Sequence, residues 1–128
     1  MRSRDYFRNG KVYVWKESFA VVKSKRPLPG AFAVIRDKNE ITTVIDQFKV
    51  SSRDVIETDG GWKILTFDMV LPFELVGFLA RVSKALADEK VSILAISAYS
   101  TDHILVKERD LPKSIEKLRS LGFLVEER

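Results

Sequence analysis

Cysteine is absent from the 128 residues, so disulfides, thiolate metal sites and cysteine nucleophiles are excluded. With one histidine besides, a structural zinc site is excluded in practice, and no cofactor or resident metal is expected. No apolar run approaches the ~18 residues of a spanning helix. The N-terminus, MRSRDYFRNG, has no apolar stretch after its charges and so does not read as a secretory signal. These absences suit a reducing cytoplasm, the expected location. What is present is a globular mix, 45% hydrophobic and 31% charged, of a size for one domain or two fused half-size units. The net charge of +4 is local: residues 1–30 hold 8 Lys/Arg against 2 Asp/Glu, while residues 63–128 hold 10 of each. A basic excess confined to one end reads as a solvated arm rather than a phosphate-tracking stripe. Nucleic-acid binding through it is therefore a lesser alternative.

The second half has the clearer pattern. Ile64 to Val70 is rich in β-branched and aromatic residues and reads as a strand stopped by Leu71-Pro72. Leu75, Val76, Phe78, Leu79, Val82 and Leu86 recur at helical spacing and predict a helix of about 14 residues. Val91 to Tyr99 carries no charge and reads as a strand, followed by the polar turn Ser100-Thr101-Asp102 and a returning strand His103–Lys107. Leu111, Ile115, Leu118 and Leu121 repeat with helical period, Asp110 and Pro112 marking the start and Gly122 the end. Phe123 to Val125 closes the series. A β-α-β-β-α-β order predicts an α+β, ferredoxin-like sheet with both helices on one face, the first and third strands central and Val91–Tyr99 at an edge.

The first half is strand-rich: Val12–Trp15, Phe19–Lys23, Phe32–Arg36 and Ile41–Phe48, with Asp37 to Glu40 as a hairpin turn. Residues 49–61 read as a connector ending in the Gly60-Gly61 breaker. The expected division is thus a strand-rich unit at 1–61 and a regular unit at 62–128. The edge segment Val91–Tyr99 lacks the Lys, Pro or bulge that keeps an edge from pairing, so it is expected to find a partner strand, from the first half or from a second copy; the plainer alternative is that loops of residues 1–61 cover it.

No catalytic constellation emerges, and enzymatic activity is not expected. His103 sits at a hairpin start as a partly exposed strand residue, and adjacent Asp102 has no reason to orient it. The acidic residues show no metal-ligand spacing. RNA-recognition modules stack bases on aromatics of their central strands, but HILVK has none and Phe67 is alone in the first strand. Acyl phosphatases of this topology need a cation near the first helix, which LPFELVGF lacks. One feature stands out. The loop Val70–Gly77 joins backbone N–H groups to a helix start, which suits a carboxylate. The turn Ser100–Asp102 offers hydroxyls and one carboxylate. Together they suit a zwitterion, a free amino acid; the plainer reading gives Gly77 to helix packing and Asp102 to a turn cap.

At these residues the chain resembles ACT domain proteins of the ACT_7 type, which include small prokaryotic ACT proteins and the CASTOR arginine sensors. The resemblance lies in Gly61-Trp62, Phe73, Gly77, Leu86-Ala87, Ile96-Ser97, Tyr99, Thr101-Asp102 and Val106. Asn39 to Val44 and Phe19 to Val22 look like strands of a truncated ACT-like unit. Ala98, Lys90 and Asn39 stand where the pattern usually has Thr, Gly and an acidic residue. The resemblance implies a regulatory protein of two ACT-like units that binds a small amino acid at their junction. The implied ligand residues are Glu40, Ile41, Thr42 and Thr43 of the first unit, Phe73, Glu74, Leu75, Val76 and Gly77 of the loop, and Ile96, Ser97, Thr101 and Asp102 of the hairpin. The expected partners are that ligand and a second copy, as a homodimer. The alternative is a module that only oligomerises or binds a protein.

Overall fold

The computed structural model describes residues 6–128. The chain divides into two compact units, one of residues up to Lys16 with Lys63–Arg128, the other Glu17–Trp62. Of the described residues, 6–16 group with Lys63–Arg128, and the smaller unit ends at Trp62. Of the basic residues expected to form an arm, Arg2 and Arg4 lie outside the described residues, while Lys11 and Lys23 stand in strands rather than in a solvated arm.

The larger unit holds β1 (Lys11–Val14), the end of β5 (Val55–Phe67), α1 (Phe78–Asp88), β6 (Leu94–Ser97), β7 (Asp102–Lys107), α2 (Leu111–Ser120) and β8 (Leu124–Glu127). From β5 onward this is the predicted β-α-β-β-α-β order. β7 pairs with both β5 and β6, so the first and third strands of the motif are central and β6 is an edge. The fourth strand is not beside the first. β1 lies between them, antiparallel to β5 (Val12 opposite Phe67) and parallel to β8 (Val12 opposite Val125). An N-terminal strand thus enters the middle of the ferredoxin-like sheet.

Alternation along the strands explains the core. Val12, Val14, Leu65, Phe67, Ile104 and Val106 are buried on one face and pack with Phe78, Val82 and Leu86 of α1 and Leu118 of α2. The phenylalanines interlock edge-on: Phe67 and Phe78 ring centres are 5.3 Å apart at 88°, and Phe67 and Phe123 5.4 Å apart at 66°. Such pairs each contribute about 0.5–1.5 kcal/mol beyond area burial. The next residues along the strands, Ile64, Thr66, His103 and Leu105, face the other way and are buried too.

The smaller unit contains β2 (Phe19–Ser24), β3 (Ala33–Arg36), β4 (Ile41–Asp46) and the start of β5. β4 lies between β3 and β2, all antiparallel, and β2 also pairs with β5. The Asp37 carboxylate accepts from the amides of Asn39 (2.7 Å) and Glu40 (2.8 Å), closing the predicted hairpin turn. Ala20, Val22, Leu28 and Ile45 form its core.

Three expectations are corrected. The connector 49–61 is in large part strand: β5 passes through Gly60-Gly61, because Phe19 faces Trp62 while Val21 faces Asp59, which places one extra residue on β5. Gly61 takes φ +75° and its amide is received by Gln47 Oε1 at 2.9 Å, a glycine-made bulge rather than a break. The first helix has 11 residues rather than about 14, since Gly77 at φ +85° ends the approach loop and excludes Leu75 and Val76 from the helix. The edge strand is Leu94–Ser97, four residues rather than nine.

Candidate functional site

Two local segments of the larger unit build a crevice. β6 and β7 form a hairpin with Ser97 opposite Asp102, closed by the Ala98 amide donating to the Thr101 carbonyl at 2.8 Å. The loop before α1 is tied to that turn: the Leu71 amide donates to the Ser100 carbonyl at 2.7 Å. Between them lies a crevice of about 310 Å³. The loop contributes Phe73, Leu75 and Gly77, the first helical turn Phe78–Ala80, and the hairpin Ser97, Thr101 and Asp102.

Its electrostatics are divided. The first intrahelical bond visible at this end is Arg81 N–H to the Gly77 carbonyl at 3.0 Å, so the amides of Phe78, Leu79 and Ala80 have no acceptor within α1. Gly77 supplies no side-chain cap, and no acidic residue stands in the first turn. This end is a donor set with about half a positive charge. Asp102 brings a carboxylate to the same crevice. Two of its lining residues, Phe73 and Tyr99, are apolar and largely exposed, at 73% and 83%, and Val70 and Val76 of the adjoining loop are exposed as well. Phe73 and Tyr99 meet edge-on at 5.0 Å, closing loop against hairpin.

Of the thirteen expected ligand residues, Phe73, Leu75, Gly77, Ser97, Thr101 and Asp102 share this crevice. Glu74, Val76 and Ile96 lie in the same segments but do not line it. Glu40, Ile41, Thr42 and Thr43 belong to the smaller unit. There Glu40 and Ile41 border a crevice with Lys23 and Arg36, and buried Thr43 is engaged with Ser24 (Oγ1···Oγ 3.1 Å). Sequence reasoning named the amides of this helix start as a donor end but placed them before Phe78–Ala80, because the predicted helix began too early, and it missed the Leu71–Ser100 tie.

His103 is 9% exposed, buried rather than partly exposed as expected. Its Nδ1 is 2.8 Å from Thr66 Oγ1, and its Nε2 is 3.4 Å from Thr101 Oγ1. Trp15 Nε1–H donates to the same Thr66 hydroxyl at 2.8 Å. Burial pushes the His103 pKa below its ordinary value, against a smaller upward pull from Asp102.

A family model for the ACT domain, ACT_7, matches residues 57–120. The chain belongs to the ACT domain family. Its fold is shared with solved structures of low identity. A protein of Agrobacterium tumefaciens is 23% identical, with TM-score 0.79 and 94% of each chain covered. A Vibrio cholerae protein described as a possible transport protein is 18% identical, with TM-score 0.76 and 91% of this chain and 92% of that one covered. The regulatory subunit of aspartate kinase from Thermus thermophilus, in its ligand-free form, is 8% identical, with TM-score 0.64 and coverage of 86% and 95%. As an ACT domain protein the chain falls in a regulatory, amino-acid-binding class. No helix among the described residues is long and apolar enough to cross a membrane.

Proposed function

We propose that this ACT domain protein binds a small amino acid in the crevice between the Leu71–Gly77 loop and the Ser97–Asp102 turn, and so regulates a partner. The carrying observation is the pairing of opposite ends in one crevice: the amides of Phe78–Ala80, without an acceptor in α1, to receive a carboxylate, and the Asp102 carboxylate to receive an ammonium. The volume, about 310 Å³, is at the small end of the ~300–1,000 Å³ of small-molecule sites. Glu40–Thr43 enter the ligand set on the resemblance alone, as does the reading of Glu17–Trp62 as a truncated ACT-like unit. The test is thermal unfolding against each of the twenty amino acids. A ligand at 100 times its dissociation constant adds about 2.7 kcal/mol to stability. Asp102→Ala should weaken or abolish the shift; a wild-type chain unmoved by all twenty rejects the reading.

The second reading is an oligomerisation or interaction module. It is favoured by the exposed Val70, Phe73, Val76 and Tyr99 and by the outer edge of β6, which carries no strand among the described residues. Apolar surface of this kind commonly marks an association site. A homodimer is the proposed form. Sedimentation showing a monomer at micromolar concentration, with fast amide exchange in Leu94–Ser97, would reject it.

A further inference from the structure

Four side chains join the interior of the larger unit to the crevice wall: Trp15, Thr66, His103 and Thr101. Trp15 Nε1 can only donate, so Thr66 Oγ1 accepts there, at 2.8 Å. That leaves the single Thr66 hydroxyl hydrogen to be placed, and His103 Nδ1 lies 2.8 Å away. A hydroxyl donating to Nδ1 fixes the neutral imidazole with its proton on Nε2. Nε2–H then faces Thr101 Oγ1 at 3.4 Å, and Thr101, which lines the crevice, keeps its own hydrogen to give. The reverse polarity would have Thr66 Oγ1 accept from both Trp15 and His103, leaving its own buried hydrogen without either as acceptor, and would have His103 Nε2 take the hydrogen of Thr101. That arrangement removes the donor from the crevice wall.

We infer that Trp15, Thr66 and His103 form a one-way hydrogen-bond chain that presents the Thr101 hydroxyl to the crevice as a donor for the ligand's carboxylate. The inference rests on the amino-acid reading above for its ligand, and on where the single Thr66 hydrogen can go for its direction. It makes His103 a positioning residue that touches no ligand. It also divides the labour of two neighbours: Thr101 serves the carboxylate and Asp102 the ammonium, groups that an α-amino acid carries on one carbon.

His103 is the only histidine of the chain, so its ring nitrogens are read by nitrogen-15 NMR without ambiguity. The expected spectrum at neutral pH has an unprotonated Nδ1 and a protonated Nε2, and Thr66→Val, which keeps the side-chain shape, should shift the ring toward a tautomer mixture. A predominant Nδ1–H form in the wild-type chain would overturn the inference. Calorimetric titration with whichever of the twenty amino acids raises the melting temperature supplies the second arm. Thr101→Val should lose about tenfold or more in affinity, the scale of a hydrogen bond to a charged group, and Thr101→Ser should restore most of it. Wild-type affinity in Thr101→Val would overturn the carboxylate assignment. A panel with no binder defeats the amino-acid reading and that assignment together, while the ring spectrum still decides the direction of the chain.

Discussion

Gly77 governs where α1 begins, and replacing it gives a sharp test of the local architecture. The residue sits at φ +85°, ψ 3°, immediately before Phe78. An L-residue with a Cβ pays roughly 1–2 kcal/mol in that left-handed region. Against this, Gly77→Ala restricts the unfolded chain and regains about 0.4–1 kcal/mol. Alanine is also a poorer residue than glycine at a helix N-cap, by a few tenths of a kcal/mol or more. The balance is a loss of about 1–1.5 kcal/mol, which for a chain of this length lowers the melting temperature by about 3–7 °C. Gly77→Asn separates the causes. Asparagine tolerates the left-handed region better than alanine, yet its side chain caps a helix from extended backbone, which this position does not adopt. It should therefore fall between glycine and alanine. Urea melts of the three proteins give the order, and amide exchange of Phe78–Ala80 reports whether the helix start has moved. Gly77→Ala as stable as the wild type, or more stable than Gly77→Asn, would refute the placement of the helix start and with it the donor end of the crevice.

The opposite end of the same helix gives the converse. Lys90 takes φ +61° just past the end of α1, where the family pattern usually has glycine, so Lys90→Gly should stabilise by up to about 1 kcal/mol in the same melts, and a loss would contradict the strain. His103, its pKa held low by burial, should make stability fall with acidity: the unfolded chain takes up the proton near pH ~6.5 while the folded one resists it, so stability is full above that pH and declines as pH drops toward the folded value. An unchanged slope over that window in His103→Gln would exclude His103 as its source.

Both helices and the β6–β7 hairpin were legible in the sequence because their signals are local: the stripe through Val82 and Leu86, the stripe through Ile115 and Leu118, and the polar turn at Ser100–Asp102. The start of α1 was misplaced because Leu75 and Val76 fit the same stripe, and periodicity does not register a positive φ at Gly77. Gly60-Gly61 read as a break because glycine pairs end strands more often than they pass through them; only the offset between the Phe19–Trp62 and Val21–Asp59 pairs reveals a bulge. The loop-and-turn crevice was foreseeable, since both its walls lie within one short stretch of chain. The place of β1 was not, because nothing in KVYV states which strands it will lie between. His103 was misjudged for the same reason: its burial depends on Thr66 and Trp15, 37 and 88 positions away, and not on its neighbours.

That insertion bears directly on the crevice. In a plain β-α-β-β-α-β sheet the strand beside β5 would be β8, whose four residues are Leu, Val, Glu and Glu. None carries an indole. With β1 in that position, the Trp15 amide continues the ladder by donating to the Ile64 carbonyl at 3.0 Å, and its indole comes within 2.8 Å of Thr66. That indole occupies one acceptor site of the Thr66 hydroxyl and so helps hold the hydroxyl in the orientation that faces His103. An added N-terminal strand therefore does more than lengthen the sheet. It supplies the donor that orients the first hydroxyl of a chain reaching Thr101, and so joins an architectural departure from the four-stranded motif to the chemistry its crevice presents.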